Sequence, residues 1–340
     1  MACLALGNSI RVRSDRCHQM VAPEAALAYH GLAIATSGLA GSQKMPIDRR
    51  EFLRAAVTGT TGMLLADRLA TVAPANSDPR ALVPLGRELK VTRIGFGTGM
   101  AGGRRQSNQT RLGSEKFVRL LQYAYDQNVR LFDMADMYGS HGYVARALRG
   151  KPRDSYTLVT KIWFHPGGLP EPERPDADVC VRRFLKELGT DYLDAVQIHC
   201  LTSGKWPQQM RKQMDLLAGL KRKGDIRAHG VSIHSLEALE AAAREPWVDV
   251  IHARVNRYQY RTDGPMEKVV PILQEAHSAG KGIVAMKLTG EGTFDARQRE
   301  ANLRFVMGLD CVDAMVVGFE RPEHIDQLKA GVREILAANK

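Results

Sequence analysis

The sequence predicts an α/β protein built as a closed (β/α)8 barrel of eight parallel strands, preceded by an unstructured N-terminal extension. From about residue 89 onward, short β-branched segments alternate with amphipathic helical segments. Eight strand candidates can be counted, which is the number that closes such a barrel. The chain has 340 residues, 44% of them hydrophobic and 25% charged. That length accommodates one barrel of roughly 250 residues and an extension.

The predicted strands are runs of apolar and β-branched residues, at positions 91–96, 129–132, 157–161, 193–199, 226–233, 248–255, 282–286 and 314–317. Amphipathic segments lie between them, with apolar residues spaced i, i+3, i+4 and i+7, as in Phe117, Leu120, Leu121 and Ala124. Gly189 and Gly224 stand where helices are expected to end. We therefore predict that residues 77–340 form the barrel domain.

The first 76 residues contain a pattern that resembles a twin-arginine export signal. Arg49 and Arg50 precede Phe52 and Leu53, a weakly apolar run spans 55–66, and small residues follow at 73–75. We interpret 45–76 as the signal segment and 1–44 as a non-native or disordered extension, with translation starting at Met45. Export machinery would then be a partner and the location periplasmic or extracytoplasmic; a leader or arm on a cytoplasmic protein is the alternative. A run of about 12 apolar residues is too short for stable membrane insertion.

Charge and cysteine content exclude several classes of protein. The formal charge is +11, but the basic residues are dispersed, which favours a solvated surface over a nucleic-acid footprint. The five cysteines form no CxxC pair, and their spacing suits neither zinc, an iron–sulfur cluster nor a disulfide scaffold. We therefore expect folding in a reducing compartment and no metal. Oligomeric state cannot be deduced from the sequence.

Ionisable residues end three consecutive predicted strands. Asp133 follows the second strand with Tyr138 five residues later, Lys161 ends the third, and His199 ends the fourth. Each has an ordinary structural explanation on its own: a helix cap, a snorkelling lysine, a core histidine. The carboxyl ends of barrel strands meet at one rim, where barrel enzymes place their chemistry. Together these residues predict an active site.

Four motifs carry a resemblance to the aldo-keto reductase family over about residues 89–330. They are Phe132-Asp133-x-Ala135-x-x-Tyr138-Gly139, Thr160-Lys161-Ile-Trp163, the segment 183–194 followed by His199, and the segment 224–232. The resemblance implies a catalytic tetrad of Asp133, Tyr138, Lys161 and His199. It also implies an NAD(P)-dependent oxidoreductase that acts on a small carbonyl or alcohol substrate.

The chemistry of these residue types fits that implication. Carbonyl reduction places negative charge on oxygen, and a tyrosine can protonate it, although its reference pKa is about 10. A neighbouring lysine stabilises tyrosinate, an aspartate holds the lysine, and a histidine orients the carbonyl. The resemblance thus implies Tyr138 as proton donor, Lys161 as its activator, Asp133 as the lysine's partner and His199 as substrate orienter.

The cofactor and substrate contacts implied by the resemblance are less regular. Ile233 and His252 stand where the family has Asn and often Gln, and His324 and Gly318 replace its usual arginine and lysine. We expect NADP, with NAD left open. The predicted cofactor residues are Gly97, Thr98, Ser232, His252, Met286, Lys287, Gly318, Arg321 and His324. The predicted pocket residues are Trp163, Phe164 and Trp206, although core packing is an equal alternative for Trp206.

Two other interpretations compete with a barrel reductase. Residues 97–102 fit GxGxxG, but the polar, aperiodic segment after them is poor material for the helix of a Rossmann dinucleotide site. A cofactor-binding redox-sensing or regulatory module with little turnover is the second alternative, against which intact Tyr138 and Lys161 argue.

Overall fold

A computed structural model describes residues 81–170 and 175–338 and confirms the closed barrel of eight parallel strands. The predicted segments 1–44 and 45–76 lie outside the described residues. Within the described part, no helix is both long and apolar enough to cross a membrane.

The barrel follows a two-stranded antiparallel hairpin. The hairpin strands are β1 (Leu82–Leu85) and β2 (Leu89–Thr92). The barrel strands are β3 (Ile94–Gly97), β4 (Leu131–Asp133), β5 (Thr157–Ile162), β6 (Leu193–Leu201), β7 (Ile226–Ile233), β8 (Val250–Arg254), β9 (Gly282–Met286) and β10 (Ala314–Val317). Each pairs with the next in chain order, and β10 closes on β3.

Amphipathic helices cover the barrel. They are α1 (Asn108–Arg111), α2 (Ser114–Asp126), α3 (His141–Ala147), α4 (Ala177–Leu188), α5 (Trp206–Gln209), α6 (Arg211–Lys223), α7 (Leu236–Arg244), α8 (Met266–Ser278), α9 (Ala296–Met307) and α10 (Pro322–Ala338). In α4, Ala177, Val181, Phe184 and Leu188 bury one face, as helical periodicity requires. Gly189 and Gly224 end α4 and α6 in the left-handed conformation, as predicted.

The predicted first strand, 91–96, is wrong in one respect. The chain turns after Thr92, so that Val91 belongs to the hairpin and Ile94 to the barrel. The Thr92 hydroxyl fixes this turn because it donates to Ile94 O and accepts from the amides of Arg130 and Leu131.

Small apolar residues and the hairpin fill the barrel interior below the carboxyl ends of its strands. Leu85, Leu89 and Val91 form one buried cluster with Leu131, Val159, Ala195, Ala228, Val250, Val284, Ala314 and Val316 of the barrel strands. Side chains two residues further along a strand share its inward face. Asp133 follows Leu131, Lys161 follows Val159, and Gln197 and His199 continue the face of Ala195. The apolar interior therefore gives way to polar side chains towards the carboxyl ends of the strands.

Candidate active site

A buried ion pair joins Lys161 and Asp133. Lys161 Nζ lies 2.5 Å from Asp133 Oδ1 and donates to Met134 O at 2.9 Å. Burial would raise the pKa of Asp133, but Lys161 and His252 outweigh it and lower that pKa to about 2. Burial also lowers the pKa of Lys161, against the opposing effect of Asp133. The carboxylate is therefore charged at neutral pH and holds the ammonium at the barrel rim.

Tyr138 and His199 lie beside this pair. The Tyr138 hydroxyl is 3.3 Å from His199 Nε2, and Lys161 Nζ is 5.6 Å from the centroid of the tyrosine ring. Burial, reinforced by the charge of Lys161, holds the pKa of His199 well below its usual value. The imidazole is thus neutral. The structure brings all four tetrad residues together at one rim.

Glycines allow the Tyr138 ring to lie against the loop after β3. A Cβ on Gly99 would lie 2.2 Å from the ring, and one on Gly102 would lie 2.6 Å from it. The segment after this loop continues into a short turn and the four-residue α1 rather than a long helix. The glycines of the GxGxxG pattern therefore accommodate the tyrosine ring, which excludes the Rossmann interpretation.

Charged residues outside the barrel clamp the 3-10 turn Asp136–Tyr138. Arg183 on α4 donates to both carboxylate oxygens of Asp136, at 3.1 and 2.7 Å, and Arg105 donates at 3.3 Å. Arg183 also binds Glu187, whose other oxygen lies 2.6 Å from His141 Nδ1. This clamp fixes the turn that carries the tyrosine.

A cleft opens beside the tetrad between the ends of β3, β9 and β10. Its lining includes the predicted cofactor residues Gly97, Met286, Lys287 and Gly318, together with Asp133 and Tyr138, Gly99, Met100, Leu288, Thr289, Glu291, Val316 and Val317. Lys287 pairs with Glu291, which also binds Arg261 at 2.7 Å. The cleft therefore has a glycine-rich wall and a charged wall.

A model of the aldo/keto reductase family matches residues 93–303. The chain belongs to the aldo/keto reductase family. The match spans all four residues of the tetrad, and it confirms the family resemblance found in the sequence.

Similar proteins agree with this membership. The aldo-keto reductase YhdN of Bacillus subtilis is 28% identical over 225 residues, covering 61% of this chain and 64% of that protein. The chain thus spans less than two thirds of the length of this curated relative. A solved aldo-keto reductase structure from Pseudomonas aeruginosa is 26% identical with a TM-score of 0.61, covering 75% of this chain and 95% of that one. One from Klebsiella pneumoniae, in complex with NADP and acetate, is 21% identical with a TM-score of 0.57, covering 74% and 89%.

Three residues predicted to contact the cofactor lie inside the barrel wall instead of lining the cleft. Thr98 is fully buried, and its amide and hydroxyl both donate to Asp133 O. His252 is fully buried, with its ring nitrogens beside Asp133 and Gln197. Contacts of Thr98 and His252 with the cofactor stay predictions, and the Thr98 hydroxyl is already engaged within the barrel. Ser232 differs, because its buried Oγ has no hydrogen-bond partner within the described residues.

Arg321 and His324 lie together at the start of α10. Arg321 Nε donates to His324 Nε2 at 2.8 Å, and burial together with Arg321 lowers the pKa of His324. Nearby, Glu320 accepts from Asn108 of α1. The positive charge at this helix start therefore comes from Arg321.

The three predicted pocket residues have different positions. Trp163 packs edge-on against His199, with ring centroids 5.5 Å apart, and its indole donates to Gly167 O. Phe164 is half-buried and packs against the core between barrel and helices. Trp206 is 1% exposed and donates to Ala238 O, beside the ring of Trp247. Trp206 is therefore a core residue, which is the alternative that the sequence left open beside the pocket assignment.

Sequence reasoning missed Gln197, the Asp136 clamp and Glu291. Gln197 was detectable, since it precedes His199 by two residues and so shares its inward face. Asp136 stands between Asp133 and Tyr138, but its partner Arg183 is 47 residues away. Nothing local in the sequence marks that partnership.

Proposed function

We propose that this protein catalyses NAD(P)H-dependent reduction of an aldehyde or ketone, and the reverse oxidation of the alcohol. The observation that carries the proposal is the distance of 3.3 Å between the Tyr138 hydroxyl and His199 Nε2. Two groups at this spacing can both donate to one carbonyl oxygen, and the charged Lys161 lies beside them.

Each tetrad residue has one task in this reaction. His199 donates a hydrogen bond that orients the carbonyl, and Tyr138 protonates the oxygen as negative charge develops there. Lys161 stabilises the resulting tyrosinate, and Asp133 keeps the lysine in place. When bound, the nicotinamide cofactor supplies the hydride.

The residues of the cleft fit such a cofactor. Gly97, Gly99 and Gly318 leave a wall without side chains, against which a flat ring or a phosphate can approach closely. Ser232 does not line this cleft, but its buried Oγ lacks a partner among the described residues, and a carboxamide could supply one. We expect NADP, for which Arg321 would provide charge at the 2′-phosphate, with NAD as the alternative cofactor. The Klebsiella relative bound to NADP agrees with that choice.

The test is the loss of NADPH absorbance with a panel of aldehydes, ketones and reducing sugars. We expect turnover in the full chain and a loss of about 10²- to 10⁴-fold in kcat in Tyr138→Phe, the range for removal of a general acid. Tyr123→Phe is the matched control, because its hydroxyl binds Asp326 on the outside of the fold. Tight NADPH binding without turnover on any carbonyl would contradict the proposal.

We propose in addition that the protein is exported through the twin-arginine route, with that machinery as a partner. Arg49, Arg50, the apolar run 55–66 and the small residues 73–75 support this. The test is cell fractionation of the full chain beside Arg49→Lys/Arg50→Lys. We expect the wild type outside the cytoplasm and the variant inside; equal distribution of both would contradict export.

A further inference from the structure

His252 lies directly across the barrel from the catalytic carboxylate. It stands on β8, and Asp133 stands on β4, four strands away in either direction around the closed barrel. The imidazole is fully buried, and its Nε2 lies 3.1 Å from Asp133 Oδ1. Lys161 binds the same oxygen at 2.5 Å. One carboxylate oxygen therefore faces both the lysine and the histidine.

Gln197 determines which nitrogen of His252 carries the proton. Gln197 Nε2 lies 2.7 Å from His252 Nδ1 and also donates to Val250 O at 3.5 Å. The Val250 carbonyl can only accept, which favours the amide nitrogen of Gln197 at this position, and that nitrogen can only donate. Nδ1 must then accept, which leaves the proton of a neutral ring on Nε2. That N–H is directed towards the side of Asp133, although it is not aligned for a full hydrogen bond.

The charges around His252 favour the neutral ring. Burial is the main cause that lowers the pKa of His252, and the charge of Lys161 adds to it, whereas Asp133 opposes both. With a neutral ring, the buried group contains one carboxylate, one ammonium and one neutral donor. A second cation there would be costly to bury.

We propose that His252 is a positioning residue for the tetrad: its Nε2–H, set by Gln197, partly neutralises Asp133 and thereby tunes the field that Lys161 exerts on Tyr138. This inference rests on the proposed function. Without the N–H, more of the carboxylate charge would offset the lysine. Tyrosinate would be less stabilised, and the tyrosine would ionise at higher pH.

The first test is kinetic and uses the full chain. His252→Met removes the donor, whereas His252→Gln places an amide nitrogen near the position of Nε2. We expect His252→Met to lower kcat about tenfold. In a plot of reduction rate against pH, the alkaline limb should move up by about 0.5 to 1 pH unit. The NADPH Kd should stay within about twofold, and His252→Gln should restore most of kcat and the limb.

A matched control comes from the other end of the barrel. His229 is also buried with its ring 3.1 Å from a carboxylate, that of Asp249. His229→Gln should leave the pH limb in place. A tenfold rise in NADPH Kd in His252→Met with an unmoved limb would overturn the proposal in favour of a cofactor contact. No change in either quantity would overturn it in favour of a space-filling role.

A second test does not depend on turnover. Nitrogen-15 spectra of histidine-labelled protein can report the tautomer of each of the ten histidines, and His252→Gln identifies the signal of residue 252. Because burial lowers the pKa of His252, we expect a neutral Nε2–H ring at neutral pH. An Nδ1–H tautomer, or a protonated ring at neutral pH, would overturn the inference. If the wild type reduces no carbonyl, the proposed function fails, while these spectra still decide the state of His252.

Discussion

Lys161 and Asp133 place two opposite charges in the interior of the barrel. Lys161 is 1% exposed and Asp133 5%. Moving both charges out of water costs several kcal/mol each, and replacing such a pair by apolar residues is often neutral or stabilising. Stability therefore does not account for this pair. Its position beside Tyr138 and the cleft does.

Removing one partner of the Lys161–Asp133 pair should reveal the cost of burying an unpaired charge. Lys161→Met leaves a buried carboxylate without its cation, and we expect a loss of about 3 to 5 kcal/mol in the free energy of unfolding. The double variant Lys161→Met/Asp133→Asn should recover part of that loss, because it leaves no unpaired charge. Urea unfolding of the three proteins measures this. Equal stability of Lys161→Met and the wild type would contradict the buried pair.

The same variant should reverse the local dependence of stability on pH. In the wild type the pKa of Asp133 falls from 3.8 to about 2 on folding. Its contribution is present above pH 3.8 and is lost as the pH falls through about 2. Without Lys161, burial raises that pKa, so the contribution turns unfavourable above it. We expect the stability deficit of Lys161→Met to be smaller at about pH 4 than at about pH 7; a deficit independent of pH would contradict this.

At the scale of elements, the loop after β3 supports the tyrosine. A Cβ at position 99 would lie 2.2 Å from the Tyr138 ring, so Gly99→Ala must displace the ring or the loop. We expect kcat to fall about tenfold or more, since small misplacements of reacting groups are costly. Gly142→Ala on α3 is the control, because a Cβ there meets nothing within 4 Å. Wild-type kcat in Gly99→Ala, measured under saturating conditions, would refute this role of the loop.

The clamp between α4 and the 3-10 turn makes a second prediction at this scale. Arg183→Met removes both hydrogen bonds to Asp136 and should loosen the turn that carries Tyr138. We expect kcat to fall several-fold to about tenfold, with little change in NADPH Kd.

Arg182→Met is the control for the clamp. Arg182 is the neighbouring residue on α4, and it pairs with Asp178 at the surface. Steady-state kinetics and NADPH titration of both variants give the comparison. Equal effects of the two substitutions would show that Asp136 needs no clamp.

At the scale of the whole molecule, the hairpin completes the barrel core. Leu85 is fully buried in the barrel-interior cluster, whereas Leu82 on the same strand is 59% exposed. Leu85→Ala should lower the free energy of unfolding by about 2 to 5 kcal/mol, and Leu82→Ala by less than about 0.5 kcal/mol. The tetrad lies at the other end of the strands, so kcat should be retained in both. Urea unfolding measures both free energies. Equal free energies of unfolding for Leu85→Ala and Leu82→Ala would contradict the role of the hairpin in the barrel core.

The sequence predicted what depends on local pattern. Strand periodicity predicted eight strands, and the ionisable residues at the ends of three of them predicted the cluster that the structure brings together at one rim. The sequence did not predict that the first strand divides at Thr92, because the Thr92 hydroxyl bonds to residues 38 and 39 positions away. The sequence did not reveal the partners of His252 and Trp206 for a similar reason, since Asp133 and Ala238 come from distant parts of the chain.

The most direct test of the central claim follows the hydride itself. NADPH deuterated at the transferring carbon is incubated with a carbonyl substrate and the wild-type chain, and the alcohol is examined by mass spectrometry. We predict deuterium on the former carbonyl carbon in the wild type, with Tyr138→Phe binding NADPH equally well but forming almost no labelled alcohol. Unlabelled alcohol from the wild type would contradict hydride transfer from NADPH. Equal labelling by both proteins would contradict the assignment of Tyr138 as the proton donor.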